Sequence, residues 1–505
     1  MKRTDRPGHP GSEMLFAALA RRAPGDVILQ GEGRAWRAAE LCAAVDGLAS
    51  ALCGTRVLAV LADNGPAWVI AELAALRSGI VHLPLPGFFS PAQLAHALER
   101  TGTDAVLTDQ PARVAELGAG FVRTGAWQGL TRMERSVPPV ELPIATARIS
   151  FTSGSTGAPK GVCLGAAGLI DTAAAVADRL RDLPIERHLS VLPLALLLEN
   201  VAGVHAPLLR GARVDLPGLQ TLGWRGMAGF DAAALQRQVV AAQPDSLILV
   251  PELLKAWTTH LAASRQCAPT GLDYVAVGGA RVAPDLLARA RALRLPAYQG
   301  YGLTECGSVV SLNRPGDDGD DVGRPLGHAA VRIEDGEVRI RTRAFLGYVG
   351  DPSAASIGTA PPEFATGDLG RIDPAGHLHL SGRRNSVLIS SYGRNIAPEW
   401  VESVLLAQPE IAQAVVFGDG QPWLGAALVA PGGVDGARLA LAVQRANAAL
   451  PDYARVRRWL VVPPFSAQNG LATGNGRPIR SAIFSQHAAA LAALHSDEKA
   501  SNDVF

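Results

Sequence analysis

Short apolar, β-branched runs alternate along the chain with longer stretches whose apolar residues recur three and four positions apart. Residues 56–62 (RVLAVLA), 80–85 and 105–108 (AVLT) read as buried strands, and 66–78 and 91–100 as helices between them. The same texture returns at 246–250 (SLILV), 274–277 (YVAV) and 295–299, with helices over 236–243, 251–265 and 284–293. Strands alternating with helices of this length build βαβ units and a mostly parallel sheet. Two doubly wound regions follow, over residues 50–190 and 190–310. Residues 14–53, dominated by Ala, Leu and Arg, read as helices.

Near residue 325 the pattern changes. Short alternating strands at 330–333, 337–341 and 377–381 indicate a small antiparallel, β-barrel-like unit. Past Gly382-Arg383 a fresh α+β texture begins, with strands at 386–389, 411–417, 424–429 and 456–462 and helices over 398–407 and 436–450. The expected fold is α/β: a large N-terminal domain, 1–382, with two doubly wound sheets and the antiparallel unit, then a smaller α+β domain, 383–495, and a polar tail, 496–505, that frays.

Composition narrows the function. At 505 residues the chain exceeds one compact core, and 48% hydrophobic against 18% charged residues rules out a disordered chain. Lys and Arg number 47 against 46 Asp and Glu; that balance argues against a nucleic-acid partner, which requires a clustered excess of cations. Cys42, Cys53, Cys163, Cys267 and Cys306 are scattered and never form a C-x-x-C pair, so neither a disulfide framework nor a cysteine zinc site is expected. No apolar signal region opens the chain and no apolar stretch has the length of a membrane span. The expectation is a reduced, cytoplasmic protein.

The most specific chemistry lies in Thr152-Ser153-Gly154-Ser155-Thr156-Gly157-Ala158-Pro159-Lys160, directly after a strand. Glycines let backbone N–H groups approach an oxyanion, Ser and Thr hydroxyls add donors, and Lys160 supplies a point charge. Pro159 before the lysine and Gly161 after it distinguish this polyphosphate loop from a Walker A motif.

This loop resembles that of the adenylate-forming (AMP-binding) superfamily, and further motifs recur in that family's order along nearly the whole chain. The resemblance implies that Gly278-Gly279-Ala280 lines an adenine pocket. In Gln299-Gly-Tyr301-Gly302-Leu-Thr304-Glu305, it implies that Tyr301 stacks on the base, Thr304 contacts the α-phosphate and Glu305 holds Mg²⁺, a cation suited to one carboxylate plus substrate phosphates. Asp368 of Thr366-Gly367-Asp368 would take the ribose hydroxyls, and Arg383 would make a second ribose or phosphate contact. Ser386 stands at the position of the family's domain hinge, where an acidic residue or Lys is usual. Gly393 would border the tunnel for a pantetheine thiol.

The family's C-terminal lysine, which serves adenylation, is replaced here by Arg477 within Thr473-Gly-Asn-Gly476-Arg477-Pro-Ile-Arg480. Arg is always cationic and can clamp a carboxylate, but it is bulkier. Three outcomes stay open: Arg477 replaces the Lys, the enzyme is impaired in adenylation, or the site works without this contact; Arg480 is the next candidate cation.

The segment 189–210 (LSVLPLALLLENVAGVHAPLLR) is strongly apolar with Glu199 as its only acid, so it offers no obvious partner for an α-ammonium. It resembles long-chain acyl-CoA synthetases, with Leu196 where a His is often found. Trp224 and Phe230 either line an acyl tunnel or are core aromatics, and His205 reads as a satisfied core or surface histidine. The implied activity is ATP-dependent activation of a fatty or other apolar acid to an acyl adenylate, then transfer to coenzyme A. The alternatives are loading of a separate carrier protein, or a degenerate member that binds nucleotide without full turnover.

Overall fold

A computed structural model describes residues 8–152, 159–225, 229–317, 319–351, 363–392, 394–473 and 476–496. The large domain holds two sheets. The first has eight strands, in the order Phe345–Tyr348, Lys160–Gly165, Thr146–Thr152, Val81–Pro84, Val57–Leu61, Ala105–Thr108, Leu130–Glu134 and Val122–Trp127. Its four middle strands, from Thr146–Thr152 to Ala105–Thr108, are parallel, and the outer ones antiparallel. The second has nine strands, with a parallel run from Ala297–Leu303 through Tyr274–Val277, Ser246–Leu249, Arg187–Leu189 and Arg213–Asp215 to Val27–Gly31.

The helix Pro66–Arg77 packs between the two sheets. Its core cluster joins Leu58 and Val60 of the first sheet to Ile28, Leu29 and Val214 of the second. All of residues 66–76 are buried, as expected for a helix apolar on every face. Its one internal charge, Glu72, is 2% exposed.

The expected helices over 14–53 hold only in part. Glu13–Ala20 and Ala38–Ala51 are helical, but Val27–Gly31 and Arg34–Arg37 form a β-hairpin between them. Its two turn residues, Glu32 and Gly33, have φ of 53° and 73°, the geometry that matches strand twist. A short run such as Val27-Ile28-Leu29 cannot be assigned by periodicity alone, and parallel pairing with Arg213–Asp215, far along the chain, decides it.

The small unit is a four-stranded antiparallel sheet, Ala330–Glu334, Glu337–Arg341, Phe364–Ile372 and Leu378–Arg383. The strand expected at 386–389 shrinks to Leu388–Ile389, because Arg384–Ser386 forms a 3₁₀ turn where the chain leaves this sheet. The C-terminal module has its own three-stranded sheet, Gln413–Phe417, Leu424–Val429 and Val456–Val461, with helices Pro398–Leu406 and Gly436–Ala448 on it. Separate cores hold it together. Among the described residues no helix is long and apolar enough to cross a membrane.

Candidate active site

The phosphate-loop strand Thr146–Thr152 returns antiparallel as Lys160–Gly165, with Thr152 opposite Lys160. Ser153, Gly154, Ser155, Thr156 and Gly157, expected to cradle phosphates, lie outside the described residues. Lys160 is exposed, and its Nζ stands 5.8 Å from the centroid of the Tyr348 ring. The Tyr348 hydroxyl donates to Glu305 Oε1 at 3.1 Å. Burial, then the Glu305 charge, push the Tyr348 phenol up, so it stays a donor. Tyr348 therefore links the expected phosphate cation to the expected metal ligand.

Thr304 and Glu305 sit on a 3₁₀ turn, Thr304–Cys306, at the tip of a hairpin between Ala297–Leu303 and Ser308–Leu312. The hairpin is tight enough that a Cβ at Gly302 would stand 1.7 Å from the Ser308 carbonyl oxygen, so packing alone demands glycine there. Tyr301 donates its hydroxyl to Asp368 Oδ2 at 2.6 Å, which fixes its ring in the cleft. Arg383 Nε lies 2.9 Å from Asp368 Oδ1, and the two residues are cross-strand partners. Asp368 is 5% exposed, and its N–H donates to Thr366 Oγ1 at 3.0 Å. Each of its carboxylate oxygens keeps a lone pair beyond these contacts, the requirement for a ribose diol.

Gly278-Gly279-Ala280 follow the strand Tyr274–Val277, and Gly279 has a φ of 89°, which favours glycine. Onto this turn the C-terminal module delivers Arg477, whose Nη2 donates to the Gly279 carbonyl at 2.5 Å. Arg383, Asp368 and Glu252 are the charges that act on it. Burial in the cleft, then Arg383, lower its guanidinium, while Glu252 and Asp368 raise it. Arg477 thus stands among the expected nucleotide residues. Arg480 does not: its Nη1 and Nη2 bind Glu402 Oε1 and Oε2 at 2.8 and 3.0 Å, and Nη1 also donates to the Val416 carbonyl. Ser386 ends the 3₁₀ turn joining the two modules and lines the cleft. Gly393 lies outside the described residues.

One continuous cleft of 2780 Å³ contains Lys160, Gly278, Tyr301, Thr304, Glu305, Asp368, Arg383 and Arg477. It extends away from Thr304 beneath the second sheet. Ser246, Ile248 and Val250 line it along one strand, and Tyr274, Ala276 and Gly278 along the next. Those alternating positions share one face of the sheet. Ala202, Ala206, Val176 and Leu180 form the opposite wall. Trp224 and Phe230 meet edge to face at 5.7 Å, packing on the core and also bordering the cleft.

Glu199 begins a π-helical turn, Glu199–His205. It is fully buried, accepts the Leu192 N–H at 3.2 Å and lies 3.4 Å from His188 Nε2. The only acid of the apolar segment is therefore held inside the wall. His205 is buried, with Nε2 3.3 Å from Glu72 Oε2.

Sequence reasoning missed Tyr348. The aromatic-rich run Phe345–Tyr348 was its only signal, since the contact depends on pairing with Lys160–Gly165. Among the described residues no group of three His, Cys, Asp or Glu is placed to hold a metal. Glu305, half-buried with one oxygen taken by Tyr348, instead fits a hard cation shared with phosphate oxygens.

The chain matches the AMP-binding enzyme family over residues 16–343 and the AMP-binding enzyme C-terminal domain over 385–499. It is 28% identical to a 2-succinylbenzoate–CoA ligase of Bacillus licheniformis over 72% of this chain and 77% of that one. It is 27% identical to the long-chain-fatty-acid–CoA ligase FadD15 of Mycobacterium bovis over 85% of this chain and 86% of that one. The fold is similar to that of O-succinylbenzoate coenzyme A synthetase from Bacillus subtilis in complex with ATP and magnesium ion, with a TM-score of 0.72 at 24% identity over 93% of this chain and 98% of that one.

Proposed function

We propose that this chain, which belongs to the AMP-binding enzyme family and is an AMP-forming acid–thiol ligase, joins an elongated apolar carboxylic acid to coenzyme A. The observation that carries the substrate class is the slot between the second sheet and the wall formed by Val176, Leu180, Ala202 and Ala206. Its burial of Glu199 supports an acid without an α-ammonium, because an unpaired charge in such a wall is costly.

In the first step the acid's carboxylate oxygen attacks the α-phosphorus of ATP, and pyrophosphate leaves. Thr304 and Lys160 bind phosphate oxygens, Asp368 holds the ribose with Tyr301 and Arg383 fixing its carboxylate, and Arg477 takes up charge at the α-phosphate. Glu305 is the residue that would hold Mg²⁺, which when bound supplies neutralisation of phosphate charge. In the second step the small domain turns about residues 383–386, the thiol loses its proton to solvent, its sulfur bonds to the acyl carbon, and the bond from that carbon to the phosphate oxygen breaks so that AMP leaves. The cytoplasm, where ATP and coenzyme A meet, is a compartment that suits this activity.

A panel of acids read by pyrophosphate release tests this. Each added methylene is worth about 0.8 kcal/mol, so kcat/KM should rise about fourfold per carbon until the slot fills. A preference for an aromatic acid such as 2-succinylbenzoate, or for an α-amino acid, would sink the substrate reading. Thioester formation with a holo carrier protein but not with coenzyme A would move the acceptor.

A further inference from the structure

We propose that Lys255 and Arg289 are positioning residues that latch the small domain in the orientation placing Arg477 in the cleft, and that this latch opens before the thioester step. The inference rests on the two-step ligase reading and its domain rotation, and it concerns residues that none of the sequence motifs touch.

Lys255 lies on the helix Pro251–Ser264 and Arg289 on Pro284–Ala292, both in the large domain. Lys255 Nζ donates to the Ile411 carbonyl at 2.6 Å, and Arg289 Nη2 donates to the Ala407 carbonyl. Ala407 caps the C-terminal end of the small domain's helix Pro398–Leu406. Carbonyls at that end lack intrahelical partners and carry the negative pole of the helix, so the Arg289 cation suits Ala407; Ile411, held by Lys255, lies in the loop four residues beyond. Ala407 itself is 2% exposed and packs into the large domain's core beside Leu253 and Leu286. The contact is thus keyed by shape as well as charge.

The same helix is braced to Arg477. Glu402, in its middle, binds Arg480 through two contacts, three residues beyond Arg477. A hold on the helix end is therefore transmitted to the Arg477 loop. Conversely, a rotation about 383–386 that withdraws Arg477 from Gly279 carries residues 407 and 411 away from Lys255 and Arg289.

The charges facing Lys255 are Arg289 and Glu252 of the large domain and Glu410 of the small one; Glu410 is itself paired with Arg445 at 2.6 Å, and Asp285 acts on Arg289. Burial, then Arg289, lower Lys255 to about 8. The hold of Lys255 on the Ile411 carbonyl accordingly weakens as pH rises through that value.

The test separates the half-reactions in Lys255→Ala, Arg289→Ala and the double variant. Acid-dependent ATP–pyrophosphate exchange should fall about tenfold or more, the effect of losing a hydrogen bond from a charged group. Transfer to coenzyme A from a preformed acyl adenylate should be unchanged or faster. Lys255→Arg should restore exchange and remove the decline that wild-type exchange shows above pH 8. Independently of activity, hydrogen exchange should rise in 284–292 and 404–412 of the alanine variants. Unchanged pyrophosphate exchange, equal loss of both half-reactions, or unchanged hydrogen exchange in those segments would refute the latch. A wild-type protein that releases no pyrophosphate with any acid would refute the ligase reading instead, and the hydrogen-exchange arm would still decide the latch.

Discussion

Replacing Arg477 by alanine removes a cation that reaches across the domain boundary to the Gly279 carbonyl, beside Arg383 and Asp368. If Arg477 meets the charge that develops at the α-phosphate, its loss should slow pyrophosphate release by about 10²–10³-fold, the 2.7–4 kcal/mol typical of one charge-stabilising donor. Its side chain meets the large domain through one hydrogen bond, to the Gly279 carbonyl, so the fold should lose little. Arg477→Ala should therefore keep the wild-type melting temperature and still pass a preformed acyl adenylate to coenzyme A. Arg477→Lys should retain much of the rate, with some loss from its shorter reach and single point charge.

Arg480→Ala is the informative contrast. Its guanidinium binds both oxygens of Glu402, which burial pushes up and Arg480 pulls back. Removing it strands a buried acid. With Arg480 about one-third exposed, the low end of the usual range applies, about 3 kcal/mol of small-domain stability. Both half-reactions should then fall together with the melting temperature. Stopped-flow pyrophosphate release, adenylate-to-thioester transfer and calorimetry on the two variants distinguish the roles. Unchanged pyrophosphate release in Arg477→Ala would remove Arg477 from the chemistry and leave its contact with Gly279 as a domain clasp only.

Two further expectations follow from the site and the core. Glu305→Ala should lose pyrophosphate release by orders of magnitude, and Tyr348→Phe, which removes the hydroxyl from Glu305 Oε1, should lose about tenfold and raise the Mg²⁺ concentration needed; a Mg²⁺ titration of both variants checks this. Burial holds His82 down at about 3 against its ordinary 6.5, so the unfolded chain binds a proton first as pH falls. That contribution to stability is fully present above pH 6.5 and is lost as pH drops towards 3; urea melts from pH 8 to 5 should show the decline in wild type and a flatter profile in His82→Gln.

Much of the site was legible because its residues are local. Thr304 and Glu305 share one turn, Gly278 and Gly279 end one strand, and Thr366-Gly367-Asp368 lie within Phe364–Ile372. Where strand pairing from afar decides, the sequence was silent. Val27–Gly31 became a strand only through Arg213–Asp215, and Tyr348 reached Glu305 only through Lys160–Gly165. Gly302 shows that a motif residue can serve two masters. Its place in the nucleotide signature suggests ligand contact, yet the hairpin would forbid a side chain there even without a ligand.

The same limit explains the buried ions. Arg148 donates to Glu72 Oε1 at 3.0 Å and to Asn200 Oδ1 at 2.6 Å, and Asn200 donates to Glu72 Oε2 at 2.6 Å. No spacing in the sequence relates these three residues, which come from the phosphate-loop strand, the central helix and the π-helical wall of the slot. A buried pair of this kind gives little net stability over an apolar replacement, but breaking one partner is strongly destabilising. Burial alone would push the Glu72 carboxyl up, yet its contacts with His205 and then Arg148 hold it at about 2. Glu72 therefore stays ionised, and the triad ties the strand Thr146–Thr152 to the π-helical wall of the slot. The strand that leads into the expected phosphate loop and the wall of the slot are thus fixed to one buried charge within the large domain.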